Sequence, residues 1–283
     1  MEDLNHEHIM SIDVEDWYNS SLDLFDDSDV KHGQRPNESV VENTLLSLDM
    51  LDRYSSKGTF FVLGTVAEYY PDLVKEIIYR GHEVASHGYA HKLVYNLSPE
   101  EFETDIKISM EHLTKAGCNE IIGYRAPYWS ITKKSLWALD ILKDLGFKYD
   151  SSIFPIRRGL YGISDAKPYP HRLPNGMMEF PPATIRLPGF NFPIAGGGYL
   201  RLLPSCLLNS MIERASNSGP KVFYFHPYEL DENDVKVEHK VTNLKSLVYV
   251  FQQRLGRSGN QDKLAGLISK YKFNSFENVL GEY

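Results

Sequence analysis

Apolar positions along this chain fall into two alternating rhythms. Short runs rich in Ile, Val, Phe and Tyr, with the length and composition of buried strands, occur at His8–Val14, Thr59–Leu63, Glu83–Ser86, Ile121–Tyr124, Lys148–Asp150 and Val222–Phe225. Between them, Val40–Tyr54, Pro71–Arg80, Pro99–Ala116 and Lys133–Leu145 space their apolar residues near the helical period, which predicts amphipathic helices. Ser98 followed by Glu101 is a capping box, and Gly81, Gly117 and Gly146 stand where those helices stop. Two further helical patterns cover Asn243–Leu255 and Gln261–Lys270. Repeated βα units imply parallel strands covered by helices, and for 283 residues this predicts an α/β fold closed as a barrel in a single domain, ahead of an open doubly wound sheet. The Pro- and Gly-rich stretch Phe154–Leu203 breaks the rhythm and predicts long loops and short strands on the face of the barrel.

Composition narrows the function. The formal charge of −8 is spread along the chain with no basic block of the kind that follows a phosphate backbone, so nucleic acid is not an expected partner. Cys118 and Cys206 are too few for a disulfide framework, which fits a reducing compartment. The opening MEDLNHEHIMSID has no apolar core of a signal peptide, and no uninterrupted apolar run approaches the ~18 residues of a transmembrane helix. The expectation is a cytoplasmic protein without a transmembrane segment.

In α/β barrels the reactive groups sit where strands end, and these strand ends are polar. SIDVEDWY gives Asp13, Glu15 and Asp16; EVASHGYAH gives His87 and His91; GYRAPYW gives Arg125; YDSS gives Asp150; VFYFHPYEL gives His226. One turn of helix would aim His87 and His91, four residues apart, at a single point. Strand alternation puts Asp13 and Glu15 on one side and turns Asp16 away. Two imidazoles and a carboxylate make a catalytic divalent-metal site, leaving the other carboxylate free as a base. A lone acidic residue at a strand end is more often a cap or a salt-bridge partner, but the coincidence across five ends outweighs that reading. His82 reads as a structural hydrogen-bonder, and His6, His8, His112 and His171 have no partner at ligand spacing. The pairs Trp17-Tyr18 and Tyr128-Trp129 flank these motifs, and aromatic faces of this kind commonly stack on sugar rings.

Taken in order, SIDVED, TFFVLG, GHEVASHGYAH, GYRAPYW, YDSS and FYFHPYEL resemble the polysaccharide deacetylases of the NodB-homology group, carbohydrate esterase family 4, over roughly residues 8 to 230. DVEDWY and FHPYELD resemble, more narrowly, a subgroup found with bacterial exopolysaccharide and surface-glycan gene clusters. The resemblance implies a distorted (β/α) barrel with fewer than eight regular strands, a catalytic core over about residues 8–230 and a helical extension over about 231–283. It also implies one divalent metal, zinc first with cobalt, manganese or nickel as alternatives, and removal of N-acetyl groups from an amino sugar in a glycan or its precursor. By matching motif, Asp13 is the general base, His87 and His91 are metal ligands, Arg125 positions the base, and His226 is the general acid. Tyr128 supplies a backbone N–H to the oxyanion, and Asp150 orients the acid end of the site. The common motif has two adjacent aspartates, the second a ligand. Here Val14 follows Asp13, so Glu15 is the expected ligand and Asp16 its reserve. The competing readings are a deformylase or amidase of the same superfamily acting on a non-sugar amide, and a glycan-binding pseudoenzyme on the same barrel.

Overall fold

The computed structural model of the chain describes residues 7–19, 32–159, 161–216, 219–232, 248, 251–281 and 283. Its strands are β1 (His8–Val14), β2 (Thr59–Val62), β3 (Glu83–Ser86), β4 (Gly123–Tyr124), β5 (Tyr149–Asp150), β6 (His171–Arg172), β7 (Met178–Glu179), β8 (Thr184–Leu187), β9 (Phe190–Pro193), β10 (Val222–Phe225) and β11 (Phe273–Asn274). All of β1 is buried, as a central strand of a helix-covered parallel sheet must be, which is why its sequence is a run rather than an alternation. It pairs in parallel with β2 on one side and β10 on the other, and its first residues also pair with β11. The sheet runs β10-β1-β2-β3-β4-β5-β7-β6, parallel throughout except for β6. Beyond β7, a parallel bridge from Pro182 to Val222 brings the chain back to β10, so the sheet curls on itself. β8 and β9 form a separate antiparallel hairpin. The fold is the expected distorted barrel.

Side-chain alternation divides the core in two. Met10, Ile12 and Val14 of β1 join the large cluster between sheet and helices, whereas Ile9 joins an inner cluster with Phe61, Ala85, Tyr149, Val222 and Phe276. The inner face of β1 therefore reads Ile9, Ser11, Asp13: apolar at the base, polar toward the carboxyl end. Helices α1 (Ser39–Arg53), α2 (Gly64–Tyr69), α3 (Pro71–Tyr79) and α4 (Pro99–Lys115) cover the outside. The Ser98 hydroxyl accepts from the Glu101 N–H while Glu101 accepts from the Ser98 N–H, the capping box expected at the start of α4. The short helix α2 was not foreseen. Gly64 opens it because a Cβ there would come within 2.9 Å of the Ser109 backbone of α4. The helix expected over Lys133–Leu145 is shortened to α5 (Ala138–Asp144), since Ser135 ties residues 130–135 into turns, accepting from the Thr132 N–H and donating to the Ser130 carbonyl.

The later chain departs further from expectation. The loop region holds a short helix α6 (Gly198–Leu202), and α7 (Ser205–Ser216) follows it. Of the helix expected over Asn243–Leu255, Val248 and residues 251–254 are helical, and residues 243–247, 249 and 250 lie outside the described residues. The helix expected at Gln261–Lys270 runs over Asn260–Lys270. The tail is more than a helical extension: β11 joins the sheet, and the helix Phe276–Leu280 plugs the base of the barrel. Phe276 stacks on Tyr149 at 4.8 Å, and the Glu277 N–H donates to buried Glu83. Among the described residues no helix is long and apolar enough to cross a membrane.

Candidate active site

The inward rows of β1, β3 and β10 continue past the strand ends and meet in a cavity of about 1130 Å³ lined by Asp13, Glu15, His87, His91 and His226. Asp13 is held first. Arg125, wholly buried, donates from Nη1 to Asp13 Oδ1 at 2.6 Å and to Ser11 Oγ at 2.8 Å, and from Nη2 to Ser151 Oγ at 3.0 Å. Its guanidinium lies over the rings of Phe61 and Trp129, at 4.1 and 4.7 Å from their centroids. A buried cation with this many partners fixes the carboxylate in one orientation, leaving Asp13 Oδ2 to face His226 Nε2 across 4.0 Å.

Glu15 meets the two histidines. Its Oε2 lies 2.5 Å from His91 Nε2 and 3.6 Å from His87 Nε2, while its Oε1 lies 3.6 Å from His226 Nε2. Burial opposes ionisation of Glu15, but the imidazoles of His91, His87 and His226 overcome it and hold the carboxyl well below the usual carboxylate range. His87 Nδ1 donates to the Arg125 carbonyl at 2.8 Å, which fixes the tautomer and leaves Nε2 its lone pair. The histidines reach one point by a loop rather than by the expected helical turn: residues 87–91 are not helical, and Gly88 and His91 both take positive φ, at 75° and 55°. Left-handed backbone at a non-glycine residue costs of order 1 kcal/mol and is tolerated where surrounding structure fixes it.

These residues fit a divalent metal. One ligand atom from each of Glu15, His87 and His91 lies within 4.8 Å of the others, and Glu15 Oε2 is buried with no hydrogen bond of acceptable geometry. Carboxylate oxygen and two imidazole nitrogens are the donor set of an open, catalytic zinc-type site. Asp16, the reserve, is turned away: its Oδ2 accepts from the Asn37 N–H at 2.7 Å, and its own N–H donates to Asn19 Oδ1.

His226 has a partner that the sequence reading missed. Its Nδ1 lies 3.2 Å from Glu229 Oε2, and Glu229 Oε1 lies 3.3 Å from Nε of buried Arg201. The 3₁₀ turn Pro227–Glu229 brings positions i and i+3 together, so the His-Pro-Tyr-Glu spacing carried the signal. Burial alone would lower the His226 pKa. The hydrogen bond and charge of Glu229, with Glu15 and Asp13, raise it instead to about 9.

Two expected site residues lie elsewhere. Asp150 is buried with its carboxylate on the Ser152 N–H and Oγ, next to Glu179, and is not in contact with His226; Glu229 occupies the orienting position. Burial and the adjacent Asp150 push the Glu179 pKa well up. Trp17 is 4% exposed and does not line the cavity, because the turn from Asp16 to Asn19 rotates it into the protein. Tyr128 and Trp129 do line it, both at positive φ of 55° and 54°. Trp129 is largely spent on packing against Arg125 and Tyr224, whereas Tyr128 is half-buried beside His91.

Residues 23–149 match the polysaccharide deacetylase family, and residues 151–281 match a domain of unknown function, DUF3473. A Bacillus cereus peptidoglycan-N-acetylglucosamine deacetylase is 34% identical over 106 residues, 35% of this chain and 37% of that protein. A chitooligosaccharide deacetylase of Bradyrhizobium is 29% identical over 97 residues, 34% of this chain and 41% of that protein. The match thus spans less than half the length of these curated relatives. Among solved structures, a Mycobacterium smegmatis protein described as a polysaccharide deacetylase superposes on 100% of this chain and 91% of its own with a TM-score of 0.61 at 18% identity. A Bacillus anthracis protein described as a CE4 family pseudoenzyme reaches 0.51 at 14% identity over 98% of this chain and 66% of its own. At such identities these likenesses speak for the fold. Together with the barrel, they show that the chain has the polysaccharide deacetylase fold, with residues 23–149 matching that family.

Proposed function

We propose that this chain removes the N-acetyl group from an amino sugar of a glycan or glycan precursor by metal-dependent hydrolysis, with zinc held by Glu15, His87 and His91. The observation that carries the reading is the meeting, in one cavity, of a carboxylate fixed by Arg125, an imidazole fixed by Glu229 and a three-residue ligand set. A divalent ion bound there supplies Lewis-acid polarisation of the acetyl carbonyl and lowers the pKa of the attacking water. Asp13 takes the proton of that water as its oxygen bonds to the amide carbon, and Arg125 keeps the accepting oxygen in place. Tyr128 lines the same cavity, and the family resemblance assigns its backbone N–H as a donor to the developing oxyanion. His226 gives its proton to the departing amine nitrogen as the C–N bond breaks, releasing acetate and a free amino sugar. The amine leaves only when protonated, so a high His226 pKa suits the task. The test is an acetate-release screen of metal-loaded protein against N-acetylamino-sugar oligomers, nucleotide sugars and lipid-linked sugars. Release from at least one class is expected; hydrolysis only of non-sugar amides or formyl groups would replace the reading.

A further inference from the structure

Asp13, Glu15 and Glu229, carboxylates that line the cavity, each face a cation or imidazole already described. Arg201, buried in the cavity wall, is spent on Glu229. Arg158 is different. It lines the same cavity, stands exposed to it, and among the described residues has no carboxylate within ion-pairing distance. Its Nη2 donates to the Tyr199 hydroxyl at 2.6 Å, and its guanidinium carbon sits 5.7 Å and 6.0 Å from the Tyr161 and Tyr199 ring centroids. Those rings are themselves anchored, Tyr161 stacked on buried Phe154 at 6.2 Å and Tyr199 edge-on to Phe192 at 5.9 Å. The guanidinium is thus held in place by aromatic faces with donors left over. The Tyr199 hydroxyl, having accepted from Arg158, keeps its own proton to donate.

A positioned, uncompensated guanidinium beside a hydroxyl donor is the arrangement that recognises a planar or tetrahedral oxyanion. A neutral chitin-like polymer offers it only hydroxyl, ether and carbonyl oxygens, which would leave the charge unmatched. We infer that Arg158 and Tyr199 form a subsite for an anionic oxygen group, phosphate or carboxylate, carried by the substrate next to its N-acetylated sugar. The inference rests on the deacetylase reading for the identity of that sugar and deepens it by selecting charged glycans or glycosyl phosphates over neutral polymers. The substrate is therefore an acetamido sugar bonded to a uronic-acid-type neighbour or to a phosphoester. The two sources share the oxyanion chemistry and differ in its geometry.

Equilibrium binding separates this subsite from turnover. The probes are a neutral N-acetylglucosamine oligomer, N-acetylglucosamine 1-phosphate, and a disaccharide of N-acetylglucosamine with glucuronate, each titrated into native protein, Arg158→Gln, Arg158→Lys and Tyr199→Phe at matched metal loading. Native protein is expected to bind at least one anionic probe more tightly than the neutral oligomer. Arg158→Gln should cut that preference about tenfold and Arg158→Lys less, since lysine keeps the charge and loses the fork. The preferred probe identifies phosphate or carboxylate as the source. Any attraction of the anion to the metal itself is common to all variants and cancels in the comparison. No anionic preference in the native protein, or a preference that survives Arg158→Gln, would overturn the subsite. Acetate release from the same probes is scored separately: its failure on all of them would count against the deacetylase reading and leave the binding comparison standing.

Discussion

His226 Nδ1 lies 3.2 Å from Glu229 Oε2, and the same carboxylate reaches buried Arg201 at 3.3 Å. Glu229 therefore both aims the imidazole and favours its charged form. Its own pKa is opposed by burial but brought down to about 2 by Arg201 and His226, so it stays ionised through the working range. Because His226 is raised to about 9, its proton is present below that pH and lost above it. Replacing Glu229 by Gln should move the alkaline limb of kcat/KM to lower pH and reduce amide turnover about 10- to 100-fold, part of the 10²–10⁴ that a positioned acid supplies. An unchanged limb in Glu229→Gln would mean that another group donates the proton.

Asp13→Asn should keep metal affinity and lose about 10²–10⁴ in turnover, because an amide cannot take the proton that Arg125 holds Asp13 ready to receive. Elemental analysis beside the rate measurement checks both halves. A variant that lost its metal yet recovered activity on reloading would show that Asp13 is a ligand.

The carboxylates at the end of β1 make opposite predictions. Glu15 Oε2 faces both imidazoles, whereas Asp16 accepts from a backbone amide. Glu15→Gln should weaken metal binding about tenfold or more, given that losses among mere outer-shell partners already reach that size. Asp16→Asn should leave the metal in place and lower the melting temperature instead. Parallel metal titrations decide, and loss of the ion in Asp16→Asn alone would reverse the assignment.

Much of this site was legible because strand alternation is unforgiving: with Ile9 facing the inner core, Ser11 and Asp13 must follow, and Glu15 comes next in the row. The motif order then named the rest. What could not be read was set by turns and distant segments. His87 and His91 converge through left-handed residues in a loop, a path that spacing alone cannot distinguish from a helical turn. Trp17 looked like a sugar platform until the turn at Asp16 buried it, and Asp150 was matched to the acid end although its partners are Ser152 and Glu179. Glu229 lay within a quoted motif but carries its role only through the turn after Pro227. The tail's place under the barrel depends on contacts across nearly 200 residues of sequence, Glu277 to Glu83, which no local pattern encodes.

That tail predicts a pH effect on stability. Burial pushes Glu83 up to about 7, against the hydrogen bonds it accepts from Thr59, Glu277 and Tyr149. A carboxyl whose folded pKa is raised binds its proton more tightly in the native state, so its contribution is full below about pH 4.5 and declines until the pH passes about 7. The loss is of order 3 kcal/mol by linkage. Glu83→Gln, neutral at every pH, should gain on the native protein in urea unfolding as pH rises from about 5 to 8. A constant difference between the two across that range would show that Glu83 does not titrate there.

The central claim is that one bound metal and these side chains together cleave an N-acetyl bond. It is tested most directly by loading metal-stripped protein with increasing zinc and counting acetate and free amine released from the substrate found by screening. The account predicts no release without metal, activity that saturates at about one zinc per chain as a single three-ligand site requires, and acetate and amine appearing in equal amounts. Undiminished release from protein shown by elemental analysis to be metal-free, or acetate without a matching amine, would contradict it.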